Sequence, residues 1–197
     1  VGTAGVNVLG GLFIQGALVE TTVDSSGNGN NGAILGAAQT SVGAGYALDF
    51  DGVDDYVRIA ADPALDNLDA MTVTARIYPR VDSHWHVLDK GDGCKRIFSE
   101  GSNRTLDGLI RQADTVTYSQ SVGGTIVLNT WQHVAMTWSE ATGTARLFHD
   151  GSEVTYGHQG IESNSALNDA SHPFVIGTRG NLAGITFFDG LINDVRL

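Results

Sequence analysis

Hydrophobic positions along the chain recur in short runs and almost never at helical spacing. Runs of four to eight residues rich in Val, Ile, Thr and aromatics alternate with clusters of Gly, Asn, Asp and Ser, the pattern of an antiparallel β-sandwich. In Val134-Ala-Met-Thr-Trp138, Val134, Met136 and Trp138 fall on one face. Glu140-Ala-Thr-Gly143 then leads into Thr144-Ala-Arg-Leu-Phe-His149, which reads as a hairpin. Asp150-Gly151 supplies the positive φ angles of a second tight turn, into Ser152–Tyr156. Further strands are expected at Tyr46–Phe50, Tyr56–Ile59, Met71–Tyr78, His86–Asp89, Arg96–Phe98, Leu106–Arg111, Val116–Ser119, Phe174–Gly177 and Gly190–Leu197. A single helical turn is expected within Pro63–Leu68. No linker-like stretch divides the chain, so residues 1–197 are expected to form one all-β domain.

Composition narrows the function. The chain has 197 residues, 26 of them Gly and only 3 Pro, without a collagen-like period. With 22 acidic against 11 basic residues, the net charge of -11 disfavours nucleic acid and anionic lipid and favours divalent cations. No run is long and apolar enough for a membrane helix, so no membrane insertion is expected. Cys94 is the only cysteine, so no disulfide closes within the chain. A chain starting at Val1 reads as a processed product or an excised module.

Asp24-Ser-Ser-Gly-Asn-Gly-Asn-Asn-Gly32 gathers one carboxylate, two hydroxyls, three amide oxygens and three glycines. Calcium takes six to eight oxygen ligands in loose geometry, and glycine lets backbone carbonyls join the shell. The same residues equally suit an Asx-turn loop whose side chains satisfy only its own backbone. One carboxylate is thin for calcium, so a partner from a distant strand is required.

That loop, followed by Ala47-Leu-Asp-Phe-Asp-Gly-Val-Asp-Asp-Tyr-Val57, Met71-Thr-Val-Thr-Ala75, Lys90-Gly-Asp92, Trp131-Gln-His-Val-Ala135, Arg146-Leu-Phe-His-Asp-Gly151 and Phe188-Asp-Gly-Leu-Ile-Asn-Asp-Val-Arg-Leu197, has the order and spacing of laminin G-like, concanavalin A-like jelly-roll modules. Over roughly residues 18–197 the chain resembles the bacterial and archaeal branch of that superfamily. The resemblance implies two curved antiparallel sheets packed face to face, often a calcium ion near one edge, and commonly carbohydrate or protein binding. In such modules the ion sits between the loop and the last strand. By position, Asp24, Asn28, Asn30, Asn193 and Asp194 would supply oxygens. This chain has Asn193 where the family usually carries Asp, which leaves the assignment between Asn193 and Asp194 open. Strand alternation puts Asn193 with Leu191, Val195 and Leu197 on one face, where it either reaches the ion or caps backbone groups.

The family's aromatic-rich first strand is replaced by Val8-Leu-Gly-Gly-Leu-Phe-Ile-Gln-Gly-Ala-Leu-Val-Glu20, and no charged side chain occurs between Val1 and Val19. This leading segment, residues 1–17, is either an ordinary buried first strand or a strand that docks on an identical subunit.

No catalytic set is recognised. The glucanase Glu-x-Asp-x-x-Glu pattern and the alginate-lyase pattern are both missing, and Asp107, Asp114 and Glu162 read as single acids in loops. His84 and His86 flank Trp85, and a His-x-His pair on a strand points both imidazoles to one side. Either they bind a transition metal, for which no third ligand is evident, or they form a solvated loop end or strand face. His158 and His172 read as loop residues, and Cys94 as incidental. For sugar binding, an aromatic platform beside polar groups is needed, and Trp85, Tyr118 and Tyr156 are the candidates. Trp131 and Trp138 read as core. The expected function is a non-catalytic, secreted or cell-surface, calcium-stabilised module that binds a glycan or partner protein. The alternatives are a self-assembling structural subunit and a polysaccharide-active enzyme.

Overall fold

The computed structural model describes residues 12–14, 17–91, 93–112, 115–162, 166–182 and 186–197. Side chains are described from Glu20 onward, so residues 1–11 of the leading segment lie outside the described residues. In chain order the strands are β1 (Leu12–Ile14), β2 (Ala17–Thr22), β3 (Gly32–Leu35), β4 (Ala38–Val42), β5 (Gly45–Asp51) and β6 (Tyr56–Ile59). A 3₁₀ turn at Pro63–Leu65 precedes β7 (Ala70–Pro79), β8 (Trp85–Lys90), β9 (Lys95–Ser99), β10 (Asp107–Arg111) and β11 (Val116–Ser121). The rest are β12 (Gln132–Ser139), β13 (Thr144–His149), β14 (Ser152–Glu153), β15 (Tyr156–Gln159), β16 (Phe174–Ile176) and β17 (Asp189–Arg196).

All pairings are antiparallel and build two sheets. The larger runs β1-β2-β3-β6-β16-β8-β9-β10-β11-β15 and the smaller β14-β13-β12-β7-β17-β5-β4. The fold is the expected all-β concanavalin A-like jelly roll. The expected strands recur with ends shifted by a residue or two, and Ser152–Tyr156 divides into β14 and β15. The expectation of one leading strand is corrected: β1 and β2 pair with each other, and β2 continues onto β3. Strands β3 and β4 escaped the sequence reading because Gly32–Leu35 and Ala38–Val42 carry few large apolar residues.

Alternation drives the packing between the sheets. In β7, Val73, Ala75 and Ile77 are fully buried against the larger sheet while their neighbours face out. Phe188 links the layers, standing edge-on to Phe50 at 6.2 Å and to Trp85 at 5.2 Å. Gly108 is required where the sheets approach, because a Cβ there would lie 2.7 Å from Met136 Sδ and 2.9 Å from Leu147 Cδ2. Beside it, Thr117 and Ser119 also face inward, and their hydroxyls donate to the Gly143 and Ala145 carbonyls at 3.3 and 2.6 Å. These bonds satisfy polar groups that burial would otherwise leave costly.

Strands β8, β9 and β10 depart from one-sided burial. Every residue of β8 is buried, and only Arg96 and Arg111 escape full burial in β9 and β10. The outer face of the larger sheet is therefore covered at its middle.

Candidate functional site

Gly108 points inward, so its neighbours Asp107 and Leu109 project from the outer face of β10. Register then fixes which residues share that face. His86 lies opposite Phe98, Phe98 opposite Asp107, Asp107 opposite Gln120, and Gln120 opposite His158. One row of side chains thus crosses five strands. Asp89, Arg96, Leu109 and Tyr118 form the adjacent row. A bulge between His86 and Leu88 puts His86 and Asp89 on one face despite their spacing of three.

Asp107 anchors the middle of this face and is fully buried. Its Oδ1 accepts from the Tyr118 hydroxyl at 2.8 Å, and its Oδ2 accepts from Thr105 Oγ1 at 2.6 Å and Glu100 N at 3.3 Å. Gln120 Nε2 donates to the Tyr118 hydroxyl at 2.7 Å. Burial, reinforced by the Asp107 carboxylate, pushes the Tyr118 hydroxyl well above its usual range and keeps it a donor. Asp107 falls within the strand expected over Leu106–Arg111, so its reading as a loop acid is corrected, as is that of His158 on β15; Asp114 lies outside the described residues. A single acid gives no sequence signal of this kind; only the register brings its donors together.

At the other end His84 Nε2 and His86 Nε2 are 3.3 Å apart, and His86 Nδ1 is 3.3 Å from Asp89 Oδ2. Burial lowers the pKa of both imidazoles, so both are neutral near pH 7. Arg96 lies over the Phe98 ring, 4.5 Å from its centroid.

The expected sugar platforms fare differently. Trp85 is 1% exposed and packs on Phe188 in the core, so it presents no ring face to a ligand. Tyr118 is partly exposed, but His158 stacks on it at 5.6 Å and Phe98 lies 6.4 Å away on a tilt. It can offer its edge and hydroxyl more readily than its face. Tyr156 packs against the core, its hydroxyl donates to Glu153 Oε1 at 2.9 Å and Leu147 N donates to it at 2.9 Å. Its hydroxyl therefore ties β15 to the smaller sheet. Trp138 is core as expected, whereas Trp131 is half-buried against Tyr78 and Arg76.

The proposed metal donors lie on other elements, in the loop before β3 and on β17. Asp24 accepts from Ser26 N at 2.8 Å, Ser26 Oγ at 2.8 Å and Asn30 N at 3.0 Å. The Ser26 bonds above all hold its carboxyl below the usual range. Three of its roughly four lone-pair positions are thus used inside the loop, as in an Asx turn. Asn28 N donates to Ser26 Oγ at 3.3 Å. In the smaller sheet, β17 breaks the alternation expected of it. The register shifts between Asn193 and Arg196, and Asp194 takes a φ of 52°. Before that shift the buried parity is Gly190 and Ile192 rather than the expected Leu191 and Asn193: Ile192 is the core residue, and Leu191 is only half-buried. Asn193 Nδ2 donates to the Tyr46 carbonyl at 3.3 Å, while its Oδ1 is buried without a partner among the described residues. Asp194 pairs with Arg196 at 2.8 Å.

A cavity of about 430 Å³ joins the two regions. Thr21, Thr22 and Val23, immediately before Asp24, line it together with Asn193, Asp194 and Val195, and Phe50, Ile176 and Ile192 form its apolar floor. Asp24, Asn28 and Asn30 do not line it. The donor set fits a calcium ion in part: Asn193 Oδ1 lacks a partner, whereas the carboxylates of Asp24 and Asp194 are already engaged. Sequence reasoning missed a separate group, Asp51, Asp54 and Asp55, whose ligand atoms lie within 4.8 Å of one another. Asp51 and Asp55 accept backbone N–H groups of that same turn at 2.8 to 2.9 Å.

Cys94 is buried, donates to the Gly91 carbonyl at 2.9 Å, and has its pKa raised by burial. It is an inert thiol. No helix among the described residues is long and apolar enough to cross a membrane.

Domain 4 of AbnA, an extracellular GH43 arabinanase from Geobacillus stearothermophilus, solved with arabinotriose, superposes with a TM-score of 0.59 at 19% identity, covering 87% of this chain and 84% of that one. The binding domain of Paraclostridial Mosquitocidal Protein 1 superposes with a TM-score of 0.64 at 12% identity over 92% of this chain, which spans about half (47%) of that domain. The enzymatically active domain of bacteriophage CBA120 tailspike protein 2 gives 0.58 at 11% identity, covering 81% of this chain and 26% of that one. At these identities the likeness concerns the fold. No curated protein matches the sequence. The family model Laminin_G_3, described as the concanavalin A-like lectin/glucanases superfamily, matches residues 50–197, and the chain belongs to that family.

Proposed function

We propose that the chain is a non-catalytic binding module, secreted or displayed at a cell surface, that takes a glycan or partner protein on the outer face of its larger sheet. The observation that carries this reading is the ordered patch of Tyr118, Gln120 and His158 around buried Asp107. These groups sit on strands and are held by one another, so little ordering entropy is lost when a ligand takes up their remaining hydrogen-bonding positions. Both oxygens of Asp107 already accept hydrogen bonds, which makes it a poor general acid or base and favours binding over turnover. The arabinotriose complex of the structurally similar arabinanase domain makes arabino-oligosaccharides the first soluble probe.

Titration calorimetry with arabinotriose, alongside an array of immobilised polysaccharides, tests the reading. Gln120→Ala and His158→Ala should weaken capture at least about tenfold, or about 1.4 kcal/mol, with unchanged circular dichroism. Binding that is indifferent to both substitutions, or turnover of a polysaccharide, counts against it.

Calcium is the second part of the proposal, held by Asp24, Asn28, Asn30, Asn193 and Asp194 to tie the early loop to the closing strand. Its support is Asn193 Oδ1, unpartnered among the described residues, on a cavity also lined by Thr21, Thr22 and Val23, which lead directly into Asp24. Carboxylate and amide oxygens are the donors this hard cation prefers.

One observation favours a second reading, self-assembly through residues 1–17: among the described residues β1 is the outermost strand at its end of the larger sheet. An outermost strand can pair with another copy. Deleting residues 1–10 should abolish concentration-dependent association in sedimentation velocity; association that survives the deletion rejects this reading.

A further inference from the structure

We infer that His84 and His86 form the protein half of a site for a borderline divalent transition-metal ion of the zinc, nickel and copper(II) class. The inference stands independently of the glycan and calcium proposals, which involve other residues.

The backbone sets the pair up. Trp85 between them turns into the core and is 1% exposed, so both imidazoles emerge on the outer face. Their Nε2 atoms are 3.3 Å apart. Two imidazole nitrogens, each about 2.0–2.1 Å from a tetrahedral ion, also stand about 3.3 Å apart. The ring centres are 5.2 Å apart, with planes 25° from parallel. An ion held between the nitrogens would need little ring movement.

The surroundings complete the pattern. Asp89 Oδ2 and His86 Nδ1 are buried, make no regular hydrogen bond, and lie 3.3 Å from each other. A carboxylate in that place keeps the proton on Nδ1 and leaves Nε2 as a lone-pair donor, the arrangement that orients metal-binding histidines. Phe98 packs on both rings, 6.0 Å from His84 and 5.3 Å from His86. Glu100 and Asp107 add negative charge near His84, opposed by Arg96 and Arg179. His86 is fully buried while His84 is partly exposed, so an ion enters along the His84 side and completes its shell with water. Imidazole nitrogen selects this class of metal over calcium or magnesium.

The full chain, freed of metal with chelator, is titrated with ZnCl2, NiCl2 and CuCl2, with CaCl2 as a comparison. One transition-metal ion per chain should bind with a dissociation constant below about 100 µM. His84→Gln should weaken binding by at least tenfold and Asp89→Asn by about 10–100-fold, both with unchanged circular dichroism, whereas His172→Ala in an exposed loop should not. With CoCl2, visible absorption should report nitrogen ligation that His84→Gln removes. Absence of saturable binding by all three metals overturns the inference. So does transition-metal binding that is unchanged in His84→Gln, which would place the ion elsewhere.

Discussion

Tyr118 reaches across the strand face to donate its hydroxyl to Asp107 Oδ1 at 2.8 Å, although register sets Tyr118 opposite Leu109 and Asp107 opposite Gln120. Tyr118→Phe removes a donor to a buried carboxylate and the acceptor used by Gln120. Unfolding stability should fall by about 1–3 kcal/mol in urea denaturation. An unchanged midpoint would show that water replaces the hydroxyl at no cost.

Lys95 and Lys90 are fully buried. Lys95 Nζ bonds Asp169 Oδ2, while Lys90 Nζ donates to Asp66 Oδ1 and the Leu65 carbonyl at 2.7 and 2.6 Å. Lys95→Met leaves the Asp169 carboxylate with Lys90 3.6 Å away and Asn67 N at 2.7 Å. Breaking a buried pair from one side costs up to about 3–5 kcal/mol when the remaining charge is left unpaired, and Lys90 holds the cost toward the lower end. Thermal unfolding should reveal a loss of that order, and a loss below 1 kcal/mol would mean the carboxylate is not isolated.

Gly108→Ala drives a Cβ against Met136 and Leu147 at the sheet contact. Overpacking of this kind costs about 1–3 kcal/mol. Gly124→Ala does not test packing, since its φ is +81° with open space around it; comparing the two separates steric conflict from backbone strain.

Glu153 contributes one part of the pH dependence. Hydrogen bonds from Arg146 and then Tyr156 lower its pKa from 4.5 to about 2. A depressed carboxylate stabilises the fold above its unfolded pKa and loses that contribution as pH falls from about 4.5 toward 2. The Arg146 and Glu153 pair is solvent-exposed, so the gain is no more than about 1 kcal/mol. The melting difference between wild type and Glu153→Gln should therefore shrink between pH 5 and pH 3; a constant difference would assign the effect to packing.

Calcium removal gives a further contrast in melting. An ion that binds only the folded chain adds about 2.7 kcal/mol at a hundredfold excess over its dissociation constant. Excess calcium should raise the midpoint over chelator, and Asp24→Ala or Asn193→Ala should erase the difference. Coincident midpoints in the wild type would reject the calcium site.

The alternation in Met71–Tyr78 and the hairpin through Glu140–Gly143 appear in the structure almost as the residues imply, because a half-buried strand writes its two faces into its sequence. The outer-face patch was not legible. Trp85 looked like a platform because aromatics suit both cores and ligands, and only packing against Phe188 decides. His158 and Asp107 gave no local signal of the patch because both meet Tyr118, which lies 11 positions from Asp107 and on a different strand from His158.

By itself the amino-acid order determined the fold class and the turn chemistry of the Asp24 loop, since both depend on local periodicity and on residues within hydrogen-bond reach along the chain. Tertiary structure alone decided which polar groups meet: it set His86, Phe98, Asp107, Gln120 and His158 in one row and brought Asn193 to the same cavity as Thr21, Thr22 and Val23. The physical reason is that strand register and bulges arise from contacts between segments far apart in sequence, which no short stretch encodes.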